Sequence, residues 1–473
     1  MNRIARKLGS HVVACAYGTL VLAACSENAS PNDLFTIPDP DAPTGAAPVV
    51  PGGSRDPVLG DNGDDAGPTD DRPGDVVPPP GVTAGTLDLS FGASGKLVVT
   101  TPVGAAFVAT TSDARLVAAS DNGDFVLDRY LAVGGAKDAT FGASGRVVTD
   151  VGGNADHART AVFQSDGKMI IGGQCSNSVR LMFCLARYHA SGVADSTFEG
   201  DGKIMTYVPY DSGVTALGIH PDGRIVAAGT LDDALVGTAQ RWAVTRYRAA
   251  GVLDPTLDGD GILSFDFPGA TPGVPRSVIA NADGSILVAG GIVPNATPPR
   301  SRMVVFRFGS NGARDVGFGT NGRVIVESGT QSHEARTMLV QPDGKILVAG
   351  NNAGAVGGIV RLNVNGTVDT TYGVGGSVHD LPEATWKSAL MRSDGKLLVA
   401  GYVTSSGTRD FVVARVTSDG KPDPTFGSGG WVRTDFGGLN DEPDQMIVTA
   451  ANKLLVVGRD PSAKRVMAAQ YQL

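Results

Sequence analysis

One phrase recurs seven times between residues 85 and 473, and a repeat of that kind decides the architecture before any single segment is considered. It reads Gly-x-x-Asp, then an aromatic-Gly pair, then glycine and a β-branched run. The copies fall at Gly85/Asp88/Phe91, Gly135/Asp138/Phe141, Gly192/Asp195/Phe198, Gly251/Asp254/Leu257, Gly312/Asp315/Phe318, Gly366/Asp369/Tyr372 and Gly420/Asp423/Phe426. Successive aromatic positions lie 50, 57, 59, 61, 54 and 54 residues apart.

Two further phrases keep the same period. Asp-Gly followed by a basic residue and an apolar run ending in glycine occurs at Asp166-Gly167-Lys168, Asp222-Gly223-Arg224, Asp343-Gly344-Lys345 and Asp394-Gly395-Lys396. Looser copies are Asp283-Gly284-Ser285, Asp113-Ala114-Arg115 and Ala451-Asn452-Lys453. Asp-Gly between apolar runs is a strong hairpin signal, because glycine tolerates the positive φ of a type I′ turn. The third phrase is a short apolar run ending in arginine, at Arg129, Arg187, Arg246, Arg307, Arg361 and Arg415, with Gln470 in the seventh place. Each period of about 56 residues therefore holds four short strands, A to D, which is the pattern of a propeller blade.

The expected fold is all-β: a seven-bladed β-propeller of four-stranded antiparallel blades over residues 85–473. The repeats begin in mid-period, at the loop and strand of residues 96–100, and end at Tyr471, where the next copy of that strand is needed. The N-terminal strand is thus expected to join the last blade and close the ring, leaving no free sheet edge there.

The repeated phrases resemble the delta-60 repeat family, which is described as a β-propeller of unknown function. The resemblance covers residues 85–473, with departures at Leu257, Ala114 and Gln470. It implies a fold and brings no activity with it.

In an antiparallel meander the A–B and C–D connections share one face, and the B–C and D–A connections share the other. The first two are the repeated turns, so that face reads as scaffold. The others differ from blade to blade, as in B–C segments 230–241 and 290–302 and D–A segments 150–159 and 326–336. The variable face is the candidate recognition surface. The repeated arginine and loop aspartate are expected to pair within each blade, except in the last, where Gln470 faces Asp88. His157/Arg159, His333/Arg336 and Trp386/Lys387 enter strand A near the expected channel mouth and are the candidate ligand contacts.

Cys175 and Cys184 flank one B–C loop on neighbouring strands, where a hairpin disulfide is expected in an oxidising compartment. The histidines are scattered along the repeats, with no nucleophile elbow, His-Glu-x-x-His or phosphate-loop pattern. No cofactor or catalytic residue is assigned. The spacing of Asp254, Asp258 and Asp260 is one that calcium can use, but it aligns with the ordinary loop copies.

The 65 glycines among 473 residues then have an address, chiefly in turns and loops repeated seven times. The net charge of −9 is concentrated in residues 26–84, which carry eleven acids, two bases and 12 of the 28 prolines. The nearly balanced remainder offers no basic footprint for nucleic acid. Residues 1–24 read as a signal peptide, with a basic start and an apolar stretch too short to span a bilayer. That stretch runs into Leu22-Ala23-Ala24-Cys25, which resembles the lipobox of bacterial lipoproteins. The resemblance implies lipidation of Cys25 and anchoring in a membrane; Ser26, in place of aspartate, points to the outer membrane of a diderm bacterium. Residues 25–84 then form a tether too poor in apolar surface to fold.

The leading expectation is a monomeric, surface-anchored scaffold that binds a protein or glycan without catalysis. The alternatives are a propeller enzyme with its site at the channel mouth and a structural envelope protein.

Overall fold

The computed structural model describes residues 83–473 apart from 103, 122, 233–239, 268, 296–298, 327–331, 352–357 and 438–439. Cys25, the signal segment and residues 26–82 of the tether lie outside the described residues, as do parts of the B–C segments 230–241 and 290–302 and of the D–A segment 326–336.

The described chain is all-β, in seven antiparallel sheets. Blade I is Ala105–Thr110, Leu116–Asp121, Phe125–Tyr130 and Arg146–Thr149; blade II is His157–Phe163, Met169–Ser176, Leu181–Tyr188 and Lys203–Thr206. Blade III is Asp211–Ile219, Ile225–Asp232, Arg241–Tyr247 and Ile262–Phe265; blade IV is Ala270–Ala280, Ile286–Pro294, Arg302–Phe308 and Arg323–Val326. Blade V is Ala335–Val340, Ile346–Gly350 and Ile359–Leu362, with its fourth strand reduced to a bridge between Val360 and Ser377. Blade VI is Thr385–Met391, Leu397–Ser405, Thr408–Val416 and Trp431–Thr434. Blade VII takes Glu442–Val448, Lys453–Asp460 and Arg465–Gln472 from the chain's end and Lys96–Thr100 from its beginning. That strand pairs antiparallel with Arg465–Gln472, from Lys96 opposite Ala469 to Thr100 opposite Arg465.

Strand A is the inner strand: each packs against the A strands of both neighbouring blades, and blade VII returns to blade I. Strand B is covered on both faces, which is why it reads as an unbroken apolar run such as Ile346–Gly350, buried throughout. Among the described residues the apolar core divides into seven clusters, one at each blade junction. The closing junction is built like the rest, with Phe91 and Leu97 against Val108, Leu116, Val457 and Val466.

The uniform face is held by a repeated latch. The arginine ending strand C pairs with the loop aspartate of its own blade in blades I to VI, at 2.6–2.9 Å. In blades I to V the same guanidinium also donates to a loop carbonyl of the next blade: Ala190, Ala249, Ser310, Val364 and Ser418 in turn. It stacks on the loop aromatic as well, at 4.1–4.9 Å from Phe141, Phe198, Phe318, Tyr372 and Phe426. Blade III, with Leu257 in that place, has no such stack among the described residues.

The basic residue after Asp-Gly adds a second cation to the same aspartate: Arg115, Lys168, Arg224, Lys345 and Lys396, at 3.0–3.4 Å. In blade VII that cation, Lys453 at 3.0 Å, holds Asp88 where no arginine is present. Neighbouring loops are also joined through the backbone. The residue after the aromatic donates to the carbonyl just before the next blade's glycine, from Gly142 to Ser191 round to Gly427 and Ala84. Gly192, at φ +86°, shows why that glycine recurs, since a Cβ there would lie 2.8 Å from the Phe141 ring.

Candidate functional site

In every blade the A–B register slips at one equivalent place, between Ala105 and Phe107, Ala158 and Thr160, Val214 and Ala216, Pro275 and Ser277, Ala335 and Thr337, Trp386 and Ser388, and Pro443 and Gln445, and blade IV has a second slip between Pro272 and Pro275. A β-bulge of this kind leaves one residue out of the ladder and re-aims its side chain. The residues set free are Ala106, Arg159, Thr215, Arg276, Arg336, Lys387 and Asp444. All seven line one cavity of about 570 Å³ in the central channel. In five blades they are the second or third residue of strand A, the end entered from the variable face, and Thr215 and Arg276 stand at the same distance from the A–B turn in longer strands, so the cavity is at the variable face.

Strand B explains why the bulge is possible. Opposite the residue before the slip stand Gly173, Gly229, Gly290, Gly350, Gly401 and Gly458, with Ser120 in blade I. A Cβ on Gly350 would sit 1.8 Å from the Glu334 carbonyl oxygen. The glycine closing each apolar run therefore makes room for the bulged backbone of strand A.

The ring of freed side chains is electrostatically lopsided. On the side of blades VI and VII the charges satisfy one another. Lys387 lies 3.3 Å from Glu442 and 2.6 Å from Asp444, Arg459 lies 3.1 Å from Asp444, and Arg409 pairs with Glu442. On the other side stand Arg159, Arg276 and Arg336. Among the described residues no acid pairs with Arg159 or Arg276, and Glu334 meets only one end of Arg336, at 3.2 Å from Nη2. The buried Nε of Arg336 has no hydrogen-bond partner among the described residues. Enclosure within the ring, then the charges of Arg336 and Arg159, push the Arg276 guanidinium down from its ordinary range, with Glu334 opposing them. An arginine keeps its charge through such a shift. The cavity wall thus offers several guanidinium donors and more positive than negative charge on one side, with Thr160, Thr215 and Thr385 between them.

Of the candidate contacts, Arg159, Arg336 and Lys387 are brought together in this cavity. Trp386 precedes the bulge and points the other way, 1% exposed in the core shared by blades V and VI. His333 is 2% exposed and His157 half-buried, and neither is among the residues lining the cavity. Arg276 escapes a search for clustered residues at strand entries, because its strand starts six residues earlier. A signal was present all the same: each bulged residue lies seven positions before the first residue of the A–B turn phrase, as Arg276 does before Asp283.

Cys175 and Cys184 are joined as a disulfide across strands B and C of blade II, with Cα atoms 5.8 Å apart. Asp254 is engaged by Arg246, Arg224 and Thr256; burial raises its pKa, but the Thr256 hydroxyl and amide and then Arg246 outweigh that and bring it down to about 2.

Four segments of the chain, residues 164–198, 220–257, 341–372 and 392–426, match the family described as domain of unknown function (DUF5122) beta-propeller. Each match runs from the A–B turn through strands B and C to the aromatic position of the C–D loop, held by Leu257 in the second, so the family's pattern is that of the scaffold face. No curated protein matches the chain in sequence. Among solved structures, Drosophila Plexin A in complex with Semaphorin 1b is similar at 10% identity and a TM-score of 0.36, over 82% of this chain and 88% of that one. The four family matches, set in a ring of seven blades, identify the body of this chain as a β-propeller repeat domain of unknown function.

Proposed function

We propose that the protein is an envelope-anchored binding module that takes an anionic ligand into the variable-face end of its channel and does no chemistry on it. In this reading lipidated Cys25 anchors the chain in the outer membrane and residues 26–84 hold the ring away from it. The observation that carries the reading is the set of bulged residues directing Arg159, Arg276 and Arg336 into one cavity with too few acids to neutralise them. A cavity of about 570 Å³ accepts a small ligand or the end of a larger one. Guanidinium groups suit carboxylate, sulfate or phosphate, which they grip through paired donors. The carboxylates at this mouth, Glu442 and Asp444, are held by Lys387, Arg409 and Arg459, which supports binding over acid–base catalysis. The disulfide supports an oxidising compartment.

The test is an array of acidic and neutral oligosaccharides together with acidic peptides, probed with the whole chain and with Arg159→Ala and Arg276→Ala. Acidic members alone should bind. Each arginine lost should weaken binding about tenfold to a hundredfold, the equivalent of ~1.5–3 kcal/mol for a charge-assisted hydrogen bond. Equal binding of neutral members, undiminished binding by both variants, or turnover of a bound member would overturn this reading.

A further inference from the structure

Away from the channel, three carboxylates meet at the junction of blades I and II. Asp124 precedes strand C of blade I, Asp150 follows its strand D, and Asp156 precedes strand A of blade II; one oxygen from each lies within 4.8 Å of the others. The same three positions recur at the junction of blades VI and VII as Asp410, Asp435 and Asp441. Asp124 and Asp410 stand directly before Phe125 and Phe411, Asp150 and Asp435 directly after strand D, and Asp156 and Asp441 three residues before the bulge.

One buried member of each cluster, Asp156 in the first and Asp441 beside the buried Asp410 in the second, is incompletely satisfied. Asp156 is fully buried, and its Oδ2 accepts from the amides of Val151 at 2.6 Å and Gly152 at 3.1 Å. Its Oδ1 has no hydrogen-bond partner among the described residues. Asp441 repeats the arrangement, with Oδ2 on the Phe436 amide at 2.9 Å and Oδ1 without a hydrogen-bond partner among the described residues. Among the described residues no lysine, arginine or histidine forms an ion pair with Asp124, Asp150 or Asp156. A buried carboxylate beside two others, with no cation, is costly enough that something must compensate it. At the second junction Arg433 pairs with Asp410 and supplies part of that compensation.

We propose that Asp124, Asp150 and Asp156 bind a calcium ion at the junction of blades I and II, and that Asp410, Asp435 and Asp441 form a weaker copy of the site. The donor set is all oxygen, which suits a hard cation and not zinc. The three acids come from three separate segments, and Asp150 is exposed, leaving positions for water. Calcium tolerates such irregular coordination, whereas magnesium demands a near-ideal octahedron. Bound there, the ion ties the end of blade I to the first strand of blade II beside the variable face. The site is independent of the arginines in the channel.

The test uses the full chain stripped with EDTA and titrated with CaCl₂ or MgCl₂, followed by calorimetry and by the thermal midpoint. Calcium should bind saturably at roughly 10⁻⁴–10⁻³ M, as in extracellular modules, and raise the midpoint, with magnesium doing much less. Asp150→Asn, at an exposed position, should keep the midpoint of the stripped wild type and lose the tighter binding step; Asp124→Asn should behave alike. Absence of heat and of any midpoint shift in the wild type up to about 10⁻² M calcium, well above that range, would overturn the proposal. So would an unchanged titration in both variants, or a magnesium response equal to that of calcium.

Discussion

Asp195 shows how much a repeated residue does at a single position. It is fully buried, with Arg187 at 2.8 Å, Lys168 at 3.3 Å and the Thr197 hydroxyl at 2.7 Å. Burial alone raises its pKa; the Thr197 hydroxyl and amide, then Arg187 and Lys168, outweigh it and hold the carboxyl well below the usual range. Replacing it by alanine strands Arg187, whose side chain is 5% exposed. Breaking a buried pair from one side costs about 3–5 kcal/mol. Asp88 is the same residue in the closing blade, but its cation is Lys453, 26% exposed and able to turn to water. Asp88→Ala should therefore cost about 1 kcal/mol, near the upper end for exposed pairs. Urea titrations of the two variants should show Asp195→Ala losing clearly more stability than Asp88→Ala, and equal losses would disprove the latch. The arginine–aspartate pairing was legible in the sequence because both residues recur at fixed spacing. The second cation was visible in the same way, yet a lysine after Asp-Gly reads first as turn chemistry, and only the fold brings it across to the next loop's aspartate.

At the scale of the strand, turns and edges could be read from the sequence by residue type, whereas the bulge is marked on its own strand only by its fixed spacing from the turn. Residues 96–100 were marked as the closing strand by what the last blade lacked, and they form it as Lys96–Thr100. The slip in strand A leaves no turn residue behind, since an alanine, three arginines, a lysine, a threonine and an aspartate all occupy it. Its other mark lies on the partner strand, in the glycine that follows the apolar run of strand B, where it is easily taken for another turn glycine. For the same reason Arg159, Arg336 and Lys387 could be selected from their place near the channel, while Trp386, one residue away, faces the core. Gly350→Ala tests this account. Its Cβ would meet backbone, the Glu334 carbonyl, and not the movable end of a side chain. Strand A must then shift, at about 1–3 kcal/mol, and take Arg336 out of its position in the channel. Thermal unfolding should fall accordingly, and affinity for an acidic ligand should fall with it. A destabilised variant with unchanged affinity would separate the bulge from the site.

For the molecule as a whole, stability is a matter of seven similar junctions, and a ring differs from an open stack in having no terminal blade to cap. The N-terminal segment gives the seventh junction its members. Phe91 and Leu97 fill the core between blades VII and I, the Gly85 amide donates to the Gln472 carbonyl at 2.8 Å, and Lys96–Thr100 covers the outer edge of Arg465–Gln472. A chain starting at Thr101 loses the burial of Phe91 and Leu97, about 3–6 kcal/mol together, before the strand's hydrogen bonds are considered. That is a large part of the 5–15 kcal/mol typical of a folded protein. The truncated chain also presents a bare edge running from Arg465 to Ala469, and an unpaired edge recruits strands from other molecules. Truncation should therefore lower the thermal midpoint and shift the protein to larger assemblies in size-exclusion chromatography than the full chain forms. A peptide of residues 83–100 added in trans should reverse both effects, because an extended segment can occupy an open sheet edge. If the truncated chain keeps the size and midpoint of the full chain, the first strand is an accessory to a ring that the six other blades and three strands already close. If the peptide restores it, closure depends on joining the first and last strands of the repeats in one sheet.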